Sequence, residues 1–256
     1  MFTPIGFFAP SGWSFGGVTD GLQFAYEAQS TITQATWVDT SGNGYDGTES
    51  AESNNGITHY TDAGGNYWFF DYTDGTRDSN YLSTGYAPGT SVSAFSYTVI
   101  QKWDGGPYDN AGSTNTGPFF ECSTGTNTYD LYAWNNTLNG SGNQYRPIIL
   151  IEVGEFEPSA YDFGSSMRNR WWMLTTTWDG TNVKNYLNTT NTSNGTRSVT
   201  LNCGTATMNL HRRALGNRGE RLQELQMGAF AWYNKALSAS EISTNYAYFQ
   251  NYYTGL

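Results

Sequence analysis

The sequence predicts an all-β protein, a two-sheet antiparallel sandwich with one C-terminal helix. Three observations carry this. Aromatic residues make up 16% of the 256-residue chain and charged ones only 13%, so the core is built from rings rather than from Leu and Ile. Thirty glycines, among many Asn, Thr and Ser, mark turns at short intervals, the pattern of numerous short strands. Only 228–249, a strand that turns and opens into a helix at Ser238, carries the start signals and period of a helix. A chain of this length buries a sizeable core, and sandwiches of this size are often one domain.

In chain order, residues 1–19 carry no charged side chain, and Phe2, Ile5, Phe7, Phe8, Trp13 and Phe15 sit among Gly, Pro and Ser. This is an extended apolar arm ahead of a domain spanning 20–256. The arm either tucks onto its own sandwich or packs on a neighbouring subunit through Phe7, Phe8 and Trp13, since an uncovered apolar arm favours aggregation. Leu22, Phe24 and Tyr26 alternate as in a strand, and Ser41-Gly42-Asn43-Gly44 supplies the positive-φ positions of a tight reversal. Asp39, Ser41 and Asn43 have the opening spacing of a calcium loop. Its twelfth position would be Ser50 rather than Glu, so the segment is a turn.

Residues 95–103 form a strand of β-branched and aromatic residues, followed by a Gly/Asn/Ser loop over 104–118. Further strands are expected at 119–122, 130–134 and 146–153. Asp179-Gly180 between two apolar runs is a hairpin signal, with strands at 198–201 and 207–210 to follow. In the last strand Met227, Ala229, Ala231 and Tyr233 alternate with Gly228, Phe230 and Trp232. Ser238 and Glu241 then form a capping box, Leu237 and Ile242 a hydrophobic staple. Ile242, Tyr246, Phe249 and Tyr253 recur at helical spacing, giving a face that must lie on a sheet.

Four of these segments carry a family likeness. They are the opening LQFAYEA with W-x-D-x-S-G-N-G (36–48), the aromatic strand leading to D-x-x-Y-L (64–85), the hairpin RWWMLTTTWDGTNVKNYLN (170–188) and the closing YNKALSxxEIxxNY. The chain resembles laminin-G-like jelly rolls of the concanavalin A-like lectin/glucanase superfamily, from Gly21 to the end. The resemblance implies a jelly-roll topology, and it is of the kind found in tailed-phage virion proteins.

Composition narrows the partners. A net charge of −10 disfavours nucleic acid and anionic membrane surfaces, both of which need a basic footprint. The first residues lack a charged n-region and their apolar runs are broken by Pro4, Pro10 and glycines, so neither a secretory signal nor a membrane span is expected. Cytosolic synthesis follows if Met1 is the native start, with Cys122 and Cys203 as thiols by default.

Catalytic constellations are thin. The superfamily's glucanases resemble one another in an E-x-D-x-E strand, whose alternation puts three carboxylates on one face. Glu152, Glu155 and Glu157 come nearest, but the central Asp is missing and Glu152 falls on the other face. His59 and His211 are the sole histidines, and neither has a triad or zinc context. Jelly rolls of this kind often hold calcium at loop rims. Asp71, Asp74, Asp78 and Asn80 offer hard oxygens, although such runs are more often plain turns and no ligand is assigned. No other cofactor is expected.

The binding candidates are two. Trp134 with Asn135 and Asn136, and Asp104 and Tyr108 in the 104–115 loop, pair rings with amides and carboxylates as sugar sites do. Core packing is the competing role for any one ring. Arg212, Arg213, Arg218 and Arg221 form the one basic patch. It is suited to an acidic neighbour or acidic sugar, or to pairing within the chain.

The expected function is therefore non-enzymatic: a structural or adhesive virion protein of a tailed phage, as a capsid decoration, head-fibre or tail-fibre subunit. It would be made in the host cytoplasm and assembled with other virion proteins as a homo-oligomer, with a trimer as the virion-spike arrangement, its outer loops reaching host glycan. The alternative is an extracellular bacterial carbohydrate-binding module or lectin. A glycoside hydrolase comes third.

Overall fold

The computed structural model describes residues 14–28, 36–49, 57–70, 81–102, 115–122, 131–138, 144–151, 154–156, 161–162, 170–211 and 225–256. In chain order these form β1 (Leu22–Glu27), β2 (Thr36–Trp37), β3 (Gly47–Glu49), β4 (Ile57–Tyr60), β5 (Tyr67–Phe70), β6 (Leu82–Ser83), β7 (Phe95–Lys102), β8 (Asn115–Cys122) and β9 (Leu131–Leu138). Then follow β10 (Gln144–Ile151), β11 (Gly154–Phe156), β12 (Tyr161–Asp162), β13 (Trp171–Trp178), β14 (Asn182–Leu187), β15 (Thr190–Thr196), β16 (Asn209–Leu210), β17 (Leu225–Tyr233) and α1 (Ala239–Phe249).

The strands make two antiparallel sheets. The front sheet runs β15-β14-β13-β7-β17-β5-β4, with β1 also on β17; the back sheet runs β11-β10-β9-β8-β16-β6-β3-β2, with β12 on β10. Strands distant in sequence lie side by side, as β17 does on β7 and β5. Between the sheets lies an aromatic core that includes Phe24, Trp37, Trp68, Tyr97, Phe120 and Phe230. Trp37 stacks on Trp68 at 3.9 Å and 18°. Rings fill the interior because each buries a large area, which offsets the chain's scarcity of Leu and Ile.

A second cluster sits on the outer face of the front sheet, beneath the helix. It joins Ala25, Ile100, Met173, Ala229, Ala231 and Tyr233 of the strands to Ile242, Phe249 and Tyr253. Small residues on β17 let the helix approach closely. The capping box is present: Glu241 N donates to Ser238 Oγ (3.3 Å) and Ser238 N to Glu241 Oε2 (2.8 Å). Leu237 and Ile242 are both buried in this cluster, as a staple requires. Lys235 joins Glu241 to Asp20, and its ammonium is the main cause holding the Glu241 carboxyl below its usual range. The helix ends at Phe249, so Tyr253 reaches the cluster from the turn beyond it.

Two bulges correct the face assignments read from strict alternation. A register shift between Leu22 and Phe24 sends Leu22 to the helix side while Phe24 and Tyr26 face the inner core. A second shift, at Gly228, turns Met227 inward with Phe230 and Trp232 instead of outward with Ala229. Along its edge opposite β7, β17 also changes partner there, from β5 before the bulge to β1 after it.

Other expectations change as well. Residues 198–201 form no strand and contribute a single bridge, Leu201 to Val92. The strand is instead β15, whose TNTSNGT has no apolar alternation because it is an edge strand with polar residues on both faces. β9 runs through Asn135 and Asn136 to Leu138, well past the expected end at 134. The Asp179-Gly180 hairpin forms, with Asp179 accepting from the Thr181 and Asn182 amides and Gly180 at φ +90°. Cys122 and Cys203 are buried as thiols, Cys122 donating to Ala206 O at 3.3 Å. Phe15, the described aromatic residue of the arm, packs on Tyr248 and Phe249 of the chain's own helix. No helix among the described residues is long and apolar enough to cross a membrane.

Candidate binding face on the front sheet

The β4–β5 hairpin builds the site. Its cross-strand pairs are Ile57–Phe70, Thr58–Phe69, His59–Trp68 and Tyr60–Tyr67. Directly paired antiparallel residues share a face. Ile57, Trp68 and Phe70 go to the inner core, so Thr58, Phe69, Tyr60 and Tyr67 project from the outer one, beside the helix rather than under it. The register extends this face across the sheet as a row: Thr58, Phe69, Gln226, Lys102 and Trp171.

Tyr60 is 44% exposed and is the exposed large hydrophobic among the described residues. Its ring stacks on Tyr67 (5.3 Å, 20°) and meets Phe69 edge-on (6.1 Å, 84°). Tyr67 in turn leans on Trp171, which packs on Tyr253 (6.0 and 4.7 Å). The exposed ring thus stands on half-buried Tyr67, which rests in turn on buried Trp171 and Tyr253. Contact with both half-buried rings, Tyr67 and Phe69, restricts the ring's orientation before any ligand arrives.

Polar groups frame the rings. In the loop joining the strands, Asp62 Oδ1 accepts from Gly64 N (3.0 Å) and its carbonyl accepts from Gly65 N (3.0 Å). Gly64 O accepts from Thr254 N (2.9 Å), which ties the loop to the C-terminal turn. Lys102 Nζ donates to Asp62 Oδ2 at 3.2 Å and lies 5.8 Å from the Tyr67 ring and 5.7 Å from that of Trp171. The Gly64 amide first, then Lys102, hold the Asp62 carboxyl below the usual carboxylate range. The arrangement can bind by stacking and hydrogen bonding.

The other candidates fare differently. Trp134, Asn135 and Asn136 lie within β9, paired with Pro118, Gly117 and Thr116 of β8 and with Ile148, Pro147 and Arg146 of β10, rather than on a loop. Asp104, Tyr108, Phe7, Phe8, Trp13, Arg212, Arg213, Arg218 and Arg221 lie outside the described residues, as do Asp71, Asp74, Asp78 and Asn80. The acidic run is not one strand: β10 ends at Ile151, which pairs with Gly154 at the start of β11, so Glu155 returns on the next strand, opposite Leu150. No group of three or more His, Cys, Asp or Glu able to hold a metal occurs among the described residues. The Asp39 loop is a turn, its carboxylate accepting from the Ala25, Ser41 and Tyr45 amides and the Ser41 hydroxyl.

Tyr60 itself escaped the sequence reading. Its signal was present as two aromatic residues, Tyr60 and Tyr67, bracketing a six-residue loop that contains Asp62 and two glycines.

No protein-family model and no curated protein matches the chain. Its fold is similar to solved receptor-binding domains of botulinum neurotoxins. The type G domain superposes with a TM-score of 0.62 at 12% identity, covering 89% of this chain and 51% of that one. The serotype D domain in complex with N-acetylneuraminic acid gives 0.60 at 15% identity, covering 90% and 51%. A type C structure, from a toxin whose cell entry depends on interaction with two ganglioside molecules, gives 0.60 at 12% identity, covering 90% and 51%. The chain thus spans about half the length of these structures. Identities this low establish a shared fold alone.

Proposed function

We propose that this chain is a non-enzymatic carbohydrate-binding sandwich that holds a sugar ring against Tyr60. The observation that carries it is the exposed Tyr60 ring, stacked on Tyr67 at the β4 end of the front sheet. An aromatic face set beside polar groups is how sandwich surfaces grip a pyranose: the ring covers the sugar's C–H face, while carboxylates and amides take its hydroxyls. The shared fold with receptor-binding domains, one of them in complex with N-acetylneuraminic acid, supports a binding role over a reaction. The similar receptor-binding domains favour a carbohydrate-binding module or lectin, while the virion setting rests on the resemblance to laminin-G-like motifs and the uncharged residues 1–19 alone. It would place the same face on a larger assembly.

A glycan array probed with the full chain and with Tyr60→Ala tests the reading. Truncating a central aromatic anchor costs more than about 1 kcal/mol, so the variant should lose about tenfold in affinity for every glycan the wild type retains, with an unchanged melting temperature. An array on which Tyr60→Ala binds as well as wild type removes this face from the function.

A further inference from the structure

We propose that the Tyr60–Tyr67 face selects uncharged pyranoses and rejects glycans ending in a carboxylate sugar; this rests on the carbohydrate-binding reading above. Recognition of a sialic or uronic acid needs a cation free to meet its carboxylate. Among the described residues the cation on this face is Lys102, and its charge is already engaged. Asp62 holds it at 3.2 Å, the Tyr67 and Trp171 rings flank it, and its side chain is only 18% exposed. Asp62 is the more open partner, with 37% of its side chain exposed, so an arriving ligand meets a carboxylate first. Arg170 is exposed but precedes Trp171 at the start of β13, the end of the row away from Tyr60. The chain's net charge of −10 adds a repulsive field of the same sign.

What remains favours a neutral ring. Tyr60 offers an apolar platform. An ionised carboxylate has about four acceptor positions, so Asp62 keeps capacity for a sugar hydroxyl beyond its bonds to Gly64 and Lys102.

The test is a panel of neutral glycans ending in galactose, glucose, mannose or N-acetylglucosamine, each paired with the same glycan capped by N-acetylneuraminic or glucuronic acid. Affinities of the full chain are measured at low and high salt. The expected result is a preference of about tenfold or more for the neutral member, whose affinity is insensitive to salt. Asp62→Asn, which removes the blocking carboxylate and releases Lys102, should shrink that preference severalfold. A capped glycan that binds as tightly as its neutral partner overturns the inference and leaves the carbohydrate reading standing. Discrimination unchanged in folded Asp62→Asn also overturns it. Failure of every glycan to bind overturns both.

Discussion

Phe230→Ala should cost about 3–5 kcal/mol of stability, the upper range for truncating a buried aromatic. Phe230 is fully buried at the centre of the inner core. It lies parallel to Phe24 (5.8 Å, 14°) and to Tyr97 (6.2 Å, 3°) within the front sheet, and meets Phe120 of the back sheet edge-on (5.8 Å, 75°). Removing it opens a cavity where the two sheets touch, and neighbouring rings are too rigid to fill it. Domains of this kind hold only about 5–15 kcal/mol in total, so the loss is a large share. Urea unfolding measures it as a lower midpoint with an unchanged slope. A loss below about 1 kcal/mol would mean that the sheets do not pack through this ring.

Gly228→Ala should cost about 2–4 kcal/mol, far more than one added methyl group on an open strand, because overpacking and a lost hydrogen bond combine. A Cβ at 228 would stand 2.5 Å from Tyr253 Cε1 and 2.7 Å from its Cζ. Tyr253 cannot swing aside. Trp171 and Phe249 hold its ring, and its hydroxyl donates to Gly228 O at 2.6 Å. That carbonyl also accepts from Ala28 N (2.9 Å), at the place where β17 passes from β5 to β1. A double-mutant cycle isolates the contact. On a Tyr253→Ala background the methyl group has room, so adding Gly228→Ala should cost little further. Additive costs in the cycle would show that the glycine serves some other need.

The parts of this fold visible in the sequence are those governed by local chemistry. The capping box at Ser238 and Glu241, the Asp179-Gly180 reversal and the apolar run of β7 each depend on neighbours within a few residues. The bulges at Leu22–Phe24 and at Gly228 were not visible. A period of two counts residues, and a bulge adds one without changing composition, so Leu22 and Met227 fell on the wrong faces. β15 was missed because an edge strand with both faces polar shows no alternation at all.

The candidate face went unread for a related reason. Alternation at Tyr67 and Phe69 shows that they face away from Trp68 and Phe70. It cannot show that the helix, placed by residues far along the chain, covers Ile100 and Ala231 yet leaves Tyr60 open. Aromatic content directed attention to Trp134 instead, whose two asparagines turned out to belong to the interior of a strand.

Amide chemical-shift mapping of the full chain, titrated with the tightest-binding neutral glycan, tests the binding face most directly. The largest shifts should fall within 57–70, with smaller ones at Lys102 and Trp171, and in Tyr60→Ala they should need about tenfold more glycan to develop. Shifts centred on 131–138, with 57–70 unmoved, would place the ligand on the back sheet and contradict the account.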